Sequence, residues 1–396
     1  RPLEALVIGL GSGVTVGSLL SWGDVRVDCI EISPEVVEAA RRHFGPENGS
    51  ALADPRVRVL IEDGRTYLAH ADREYDLIVS EPSSAWFAGM SDLFSVEFYE
   101  MCRRRLRPTG CMAQWIHAYA LPVETYRSLV ASFREPFPAA SLWETLPGLD
   151  TVLLSSLGGL TPESVREAWG RDLVRSDLGR IGLRAPEQVY CQWVLDASGL
   201  GRFVADAPPQ RDAHPVAEFV APRALHSFER ASFLRALAPS RDAFRVGVPA
   251  IDESRAARAE LVSVQIDAGL DPAERLRRVD ALLGRDPLAE IEMEGALLPY
   301  VGSLLEAGRP EDAVRIAELG VGRLPRSLPA RLIHAQALAA QGRLAEAAEA
   351  LQAAAERFPR APLPKEALAK VLEAMPGVAE GRVASERDAA RRLRER

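Results

Sequence analysis

The sequence predicts an α/β doubly wound sheet followed by an all-α region, and three observations carry that prediction. Apolar, β-rich runs alternate with helical stretches through residues 1–160, as they do in a parallel sheet with helices on both faces. The first run ends in Gly9-Leu10-Gly11-Ser12-Gly13 and opens into a helix, the layout of a nucleotide cradle. Near the carboxyl end, Gly308, Ala313 and Pro325 recur at the same spacing as Gly342, Ala347 and Pro359, which marks repeated helical hairpins.

A chain of 396 residues is long enough for two or three domains. The composition divides it into 1–160, a sheet domain; 161–290, a helical extension; and 291–396, the repeats. Hydrophobic residues at 47% and charged residues at 26% are those of a globular chain. The net charge of −8 argues against nonspecific nucleic-acid binding. Cys29, Cys102, Cys111 and Cys191 stand far apart, with no C-x-x-C pair and no histidine at metal spacing. Reduced core thiols in a cytoplasmic setting are therefore expected, and no metal. No apolar run reaches the ~20 residues that span a bilayer, and no signal peptide is visible. The chain opens Arg1-Pro2-Leu3 and enters a strand at once, so further sequence is expected upstream.

Within the cradle, Gly9, Gly11 and Gly13 lack the Cβ that would bar a sharp turn and a close ligand. Tight strand-to-helix turns also use glycine with no ligand present, so the neighbouring residues must decide. After a helix from Val14 to Trp22, the run Val25 to Ile30 ends at Glu31, a carboxylate twenty-two residues past Gly9. An acid there accepts from both ribose hydroxyls, although a solvated strand end would read the same way. Ser33-Pro34-Glu35 opens the next helix as cap, first-turn proline and first-turn acid. A third strand, Val57 to Ile61, precedes Asp63-Gly64. Asp63 is placed to accept from an adenine amine, with Gly64 keeping the backbone close, and it is equally placed to cap the helix that follows.

The fourth strand, Tyr75 to Ser80, ends in Glu81-Pro82-Ser83-Ser84 at the sheet edge where doubly wound folds place their chemistry. A helix from Val96 to Leu106, a Pro108-Thr109-Gly110 turn and a strand from Cys111 to Ile116 follow. Ser141 to Leu146 and Thr151 to Ser156 form an antiparallel pair. From Thr161 to Arg223 the pattern is helical but interrupted, and His214 has no histidine at ligand-pair spacing. The repeats at the end match the tetratricopeptide pattern, in which small residues let two antiparallel helices close together and proline ends the pair; a generic helical hairpin is the alternative.

Gly9-Leu-Gly-Ser-Gly13, Glu31-Ile-Ser-Pro-Glu-Val-Val37, Asp54-Pro-Arg-Val57, Glu62-Asp-Gly-Arg65, Tyr75-Asp-Leu-Ile78 and Leu93-Phe94 with Phe98-Tyr99 together resemble the catalytic domain of spermidine synthases, the polyamine aminopropyltransferases. The resemblance covers about residues 3 to 160. It implies a Rossmann-like, S-adenosylmethionine-type doubly wound sheet. It also implies an aminopropyl group passing from decarboxylated S-adenosylmethionine to a small amine such as putrescine. Glu81-Pro-Ser-Ser-Ala-Trp86 and Pro215-x-x-Glu218-Phe-x-x-Pro-Arg223 resemble the branch fused behind a membrane transporter-like segment, some members of which end in tetratricopeptide repeats. For that branch the domain is expected on the cytoplasmic side of the inner membrane.

The family carries its catalytic carboxylates in an Asp-x-x-Asp-Pro run, and Glu81, Pro82, Ser83 and Ser84 hold those four positions. Ser84 thus stands where the second acid, the base, is expected. Asp92 lies a short loop away and is the candidate for a displaced base. Ser12 replaces an acid common in the glycine loop, and Gln114 matches a glutamine of the family's fifth strand.

The sequence therefore supports three readings. The first is an aminopropyltransferase in which Gly9, Gly11, Gly13, Glu31, Asp63 and Gly64 bind the nucleoside, and Glu81, Ser84 and Asp92 surround the reacting amine. The second is a methyltransferase using intact S-adenosylmethionine, since the same loop and ribose acid serve both donors. No lysine or arginine lies between Val7 and Asp24 to meet a methionine carboxylate, which favours the decarboxylated form. The third is a noncatalytic nucleoside-binding module of a transporter-like fusion, with the repeats as an arm for a protein or peptide partner.

Overall fold

The structure is a computed structural model that describes residues 1–82, 89–146, 148–156, 161–181, 183–224, 230–243, 245–267 and 304–394, with a few isolated positions between 270 and 302. The chain divides into two compact units, Arg1–Ala259 and Glu260–Arg396.

In the first unit an eight-stranded sheet has the order β3-β2-β1-β4-β5-β7-β6-β8. Its strands are β1 (Leu3–Ile8), β2 (Val25–Glu31), β3 (Val57–Ile61), β4 (Tyr75–Ser80), β5 (Leu106–His117), β6 (Ser141–Leu146), β7 (Asp150–Ser156) and β8 (Trp193–Leu195). β1 to β5 are mutually parallel, and β7, β6 and β8 continue the sheet antiparallel. The order reverses between β1 and β4, which is the switch point where open α/β sheets bind ligands at their carboxyl ends.

Helices α1 (Val14–Leu20) and α2 (Pro34–His43) follow β1 and β2. Ser33 caps α2 by accepting from the Val36 N–H, and Pro34 opens its first turn. The apolar seam under these helices, Ala5, Val7, Val27, Cys29, Val16 and Val37, is buried. Between them and β3 a short helix, α3 (Gly45–Asn48), packs against α1. α4 (Gly64–His70) and α5 (Val96–Arg105) are the crossovers on either side of β4. The α4 crossover lies over a buried polar core: Asp28 accepts from Arg58, Arg73, Tyr67 and Tyr75 at 2.9 to 3.2 Å.

The structure corrects the sequence reading at β5. Pro108-Thr109-Gly110, expected as a turn before the strand, lies inside it, because β5 already pairs with β4 at Leu106 and re-pairs at Cys111 after a register shift. Pro108 falls in the stretch without ladder partners, where its missing N–H costs nothing. The expected β6/β7 hairpin forms, with Asp150 added at the start of β7. The sequence showed no sign of β8, three residues that close the sheet edge beside β6.

Residues 161–259, read from sequence as a helical extension, belong to the first unit. Arg255 and Arg258 reach back from the helix Pro249–Ile266 to donate to the carbonyls of Trp193, Cys191 and Glu144. Between β8 and that helix lie the helices Ala197–Phe203, Val216–Ala224 and Arg230–Ala243.

The second unit contains helices Pro310–Arg323, Leu328–Ala340, Leu344–Arg357, Leu363–Ala374 and Glu380–Arg394, each packed on its sequence neighbour. Gly308, Gly342 and Gly377 stand at alternate interhelix turns with φ of 69°, 82° and 81°. Ala313 and Ala347 are fully buried where small side chains let helices close. Among the described residues no helix is long and apolar enough to cross a membrane.

Candidate active site

The glycine loop leaves β1 with Gly9, Gly11 and Gly13 at φ of 92°, 53° and 79°, a region that disfavours any residue with a Cβ. A Cβ on Gly9 would lie 2.4 Å from the carbonyl oxygen of Glu81, so this glycine lets the tips of β1 and β4 touch. A Cβ on Gly13 would meet Leu52 at 2.9 Å and Asn48 at 3.1 Å. Gly11 faces open space, with nothing within 4 Å. The loop is also pinned from behind, where Asn48 donates to the Ser12 carbonyl at 2.9 Å.

Glu31 is buried at the tip of β2, and its two oxygens each accept one backbone N–H, from Leu10 and from Ser33, both at 2.9 Å. One carboxylate thus holds the glycine loop and the start of α2 together. Each oxygen keeps a lone pair for a further donor. Asp63 caps α4, accepting from the Thr66 N–H at 2.7 Å, and it is exposed. Gly64 lets α4 begin against the end of β1, since a Cβ there would lie 2.4 Å from the Ile8 side chain. The sheet thereby brings Gly9, Gly11, Gly13, Glu31, Asp63 and Gly64 to one edge, the carboxyl ends of β1, β2 and β3.

Glu81 continues the β1·β4 pairing by donating its N–H to the Ile8 carbonyl at 2.8 Å. Its carboxylate oxygens accept from the Thr15 hydroxyl at 3.1 and 2.8 Å. Burial raises its pKa, and the Thr15 bond offsets only part of that. Asp92 lies in the 3-10 turn Met90–Phe94, with its pKa raised first by burial and also by Asp212, Glu218 and Asp63, against Arg65. Arg65 ties this turn to the later chain. It donates to the Asp92 carbonyl at 3.0 Å and Ser95 at 3.3 Å, and it pairs with Asp212 through both guanidinium nitrogens. Ser84 lies outside the described residues.

Side by side on β4 and β5, Ser80 and Gln114 are fully buried, yet the Ser80 hydroxyl and the Gln114 carbonyl oxygen have no hydrogen-bond partner in the structure. Buried polar atoms rarely go unpaired, and these two sit at the carboxyl end of the β4·β5 pairing. Sequence reasoning missed Thr15, Arg65 with Asp212, and Asn48. None carries a local signal, because each acts on a residue distant in the chain. Among the described residues no three His, Cys, Asp or Glu side chains gather to hold a metal ion.

A glycine loop on the first strand, an acid at the tip of the second and a half-buried carboxylate at the switch point lie together in a Rossmann-like, doubly wound domain. Residues 1–156 match the family model described as the spermine/spermidine synthase domain. A polyamine aminopropyltransferase of Korarchaeum cryptofilum is 25% identical over 219 residues, covering 54% of this chain and 68% of that protein. One from Corynebacterium efficiens is 37% identical over 217 residues, 52% of this chain and 38% of that protein. Putrescine N-methyltransferase 2 of Nicotiana attenuata is 29% identical over 154 residues, 38% of this chain and 41% of that protein. The chain therefore spans less than half the length of two of these three relatives.

Proposed function

We propose that the protein is an aminopropyltransferase, moving the aminopropyl group of decarboxylated S-adenosylmethionine to a small amine such as putrescine. The observation that carries this reading is the half-buried Glu81 carboxyl, with raised pKa, placed against the glycine loop at the tip of β4. Glu31 has lone pairs left for the ribose hydroxyls, Gly11 leaves room for the nucleoside, and Asp63 with Gly64 borders its adenine end. The donor supplies a sulfonium, a good leaving group, so the protein's work is alignment and proton removal. As the amine nitrogen forms its new bond to carbon, the carbon–sulfur bond breaks and its electron pair stays on sulfur. The nitrogen's surplus proton passes to Glu81, whose raised pKa makes it a better acceptor than an exposed glutamate. Asp92 adds negative charge beside the incoming ammonium. With Ser84 in the position of the family's second acid, Glu81 carries the proton transfer.

The test is incubation of the protein with decarboxylated S-adenosylmethionine and a panel of amines, with chromatography for methylthioadenosine. Release of methylthioadenosine only when an amine is present is expected, and none with any amine overturns the reading. A second reading, methyl transfer from intact S-adenosylmethionine, is favoured by the putrescine N-methyltransferase relative. It predicts S-adenosylhomocysteine as the product. Tight nucleoside binding with neither product would point to a noncatalytic module. The 34-residue recurrence supports reading the second unit as tetratricopeptide-like repeats that offer a surface to a protein or peptide partner.

A further inference from the structure

We infer that Arg65, Gln210 and Asp212 are positioning residues, which fix the backbone of Asp92 and so set where its carboxylate stands toward the amine. The inference rests on the amine-dependent transferase reading and gives that site a support drawn from a segment beyond β8.

Asp92 lies in the 3-10 turn Met90–Phe94, an element whose own hydrogen bonds are poor. Such a turn takes its shape from what grips it. The two peptide groups that flank the Asp92 Cα are each gripped by a side chain remote in sequence. On one side Gln210 Nε2 donates to the Ser91 carbonyl at 2.7 Å, from 119 residues further along. On the other, Arg65 Nη1 donates to the Asp92 carbonyl at 3.0 Å, from 27 residues before. Peptide groups are planar, so holding both carbonyls restrains the two soft torsions of the residue between them. Ser91, Leu93 and Phe94 are already buried, so packing keeps the turn in place and the two clamps add its orientation.

Gln210 is itself immobilised. It is fully buried, its Oε1 accepts the Ala217 N–H at 2.8 Å, and a flipped amide would set donor against donor. Its own N–H donates to the Ser132 hydroxyl at 2.7 Å, and its carbonyl accepts from the Val96 N–H at 3.1 Å. Arg65 is oriented by Asp212, which accepts from both of its terminal nitrogens, and a two-point pair fixes the plane of a guanidinium. The Asp212 N–H is tied in turn to Glu97 at 3.1 Å. Close by, the Ser91 hydroxyl donates to Glu218 at 3.3 Å. Residues 210–218 thus act as a strap across the Asp92 turn. Arg65 follows Asp63 and Gly64 in the first turn of α4, so the turn that borders the adenine end also carries one clamp of the amine end.

The test is titration of 1,4-diaminobutane into the full chain in the presence of methylthioadenosine, by calorimetry, over a cycle of Arg65→Met, Asp92→Asn and the double variant. Each single change is expected to weaken the diamine about tenfold, and Arg65→Met is expected to add nothing once Asp92 is Asn. Methylthioadenosine affinity should change less than twofold in Arg65→Met, which a general loosening of α4 would not allow. Arg65→Lys, which keeps one donor, should restore part of the loss, and Asp212→Asn should lower diamine affinity severalfold. The Arg65–Asp212 pair is partly exposed, so these variants keep the test open if Gln210→Met fails to fold. Diamine affinity unchanged in Arg65→Met, or losses that add in the double variant, overturns the positioning role. The expected cycle without methylthioadenosine release from decarboxylated S-adenosylmethionine would uphold the positioning and defeat the transferase reading. Release with additive losses would do the reverse.

Discussion

The Thr15 hydroxyl lies 2.8 and 3.1 Å from the two carboxylate oxygens of Glu81, so the helix that leaves the glycine loop is tied to the tip of β4 by a titrating group. Burial lifts the Glu81 pKa above its ordinary 4.5. As pH rises from 4.5 through the folded-state value, the unfolded chain gives up this proton before the native state does. Native protein then binds more protons, and stability falls across that window. Glu81→Gln cannot ionise and keeps an oxygen for Thr15. It is expected to be at least as stable as the wild type at pH 7, with a flatter pH profile above 4.5, while releasing no methylthioadenosine. Urea denaturation at several pH values, with the product assay, checks both halves.

Gly9 and Gly11 both have positive φ, but only Gly9 is crowded. Gly9→Ala must displace the Glu81 backbone and is expected to cost about 2–4 kcal/mol. Gly11→Ala bears only the backbone strain, about 1 kcal/mol, and its effect falls instead on nucleoside affinity. Denaturation midpoints and methylthioadenosine binding separate the two.

Glu31→Gln replaces an acceptor with two oxygens by one whose second position is an NH2 group. Either the Leu10 or the Ser33 N–H then faces a donor. A loss of about 1–3 kcal/mol in stability is expected, with nucleoside binding weakened tenfold or more. Calorimetry with methylthioadenosine reads the second effect.

Asp28 is pulled two ways. Burial raises its pKa, but the hydrogen bonds from Arg58, Tyr75 and Arg73 outweigh burial and hold it below 3.8. Its contribution is therefore present above pH 3.8 and lost as pH falls through the folded-state value. Arg58 and Arg73 are themselves half-exposed, which discounts the ion pairs. Asp28→Asn is expected to cost about 1–3 kcal/mol at pH 7, and the gap from wild type should narrow below pH 3.8, as acid unfolding profiles would show.

Much of the sheet domain was legible because its signals are local. The alternation of strands and helices, Ser33 as a cap and the glycine loop each follow from a few adjacent residues. Glu31 was legible because the first βαβ unit has a nearly fixed length, which sets the distance from the glycines to the next strand tip. β8 left no trace, since three residues carry no periodicity. The Pro108 bulge was misread because proline signals a turn wherever its missing partner cannot be seen.

The sequence by itself determined the succession of strands and helices along the sheet domain, the glycine turn that only residues without a Cβ can make, and the spacing of the helical hairpins. The tertiary structure decided which carboxylates receive counterions. Arg65 reaches Asp212, Arg58 reaches Asp28, and Glu81 is left with a hydroxyl. That allocation depends on strand order and register, because neighbours across a sheet are set by crossovers rather than by chain distance. Electrostatics at the strand tips follows from it.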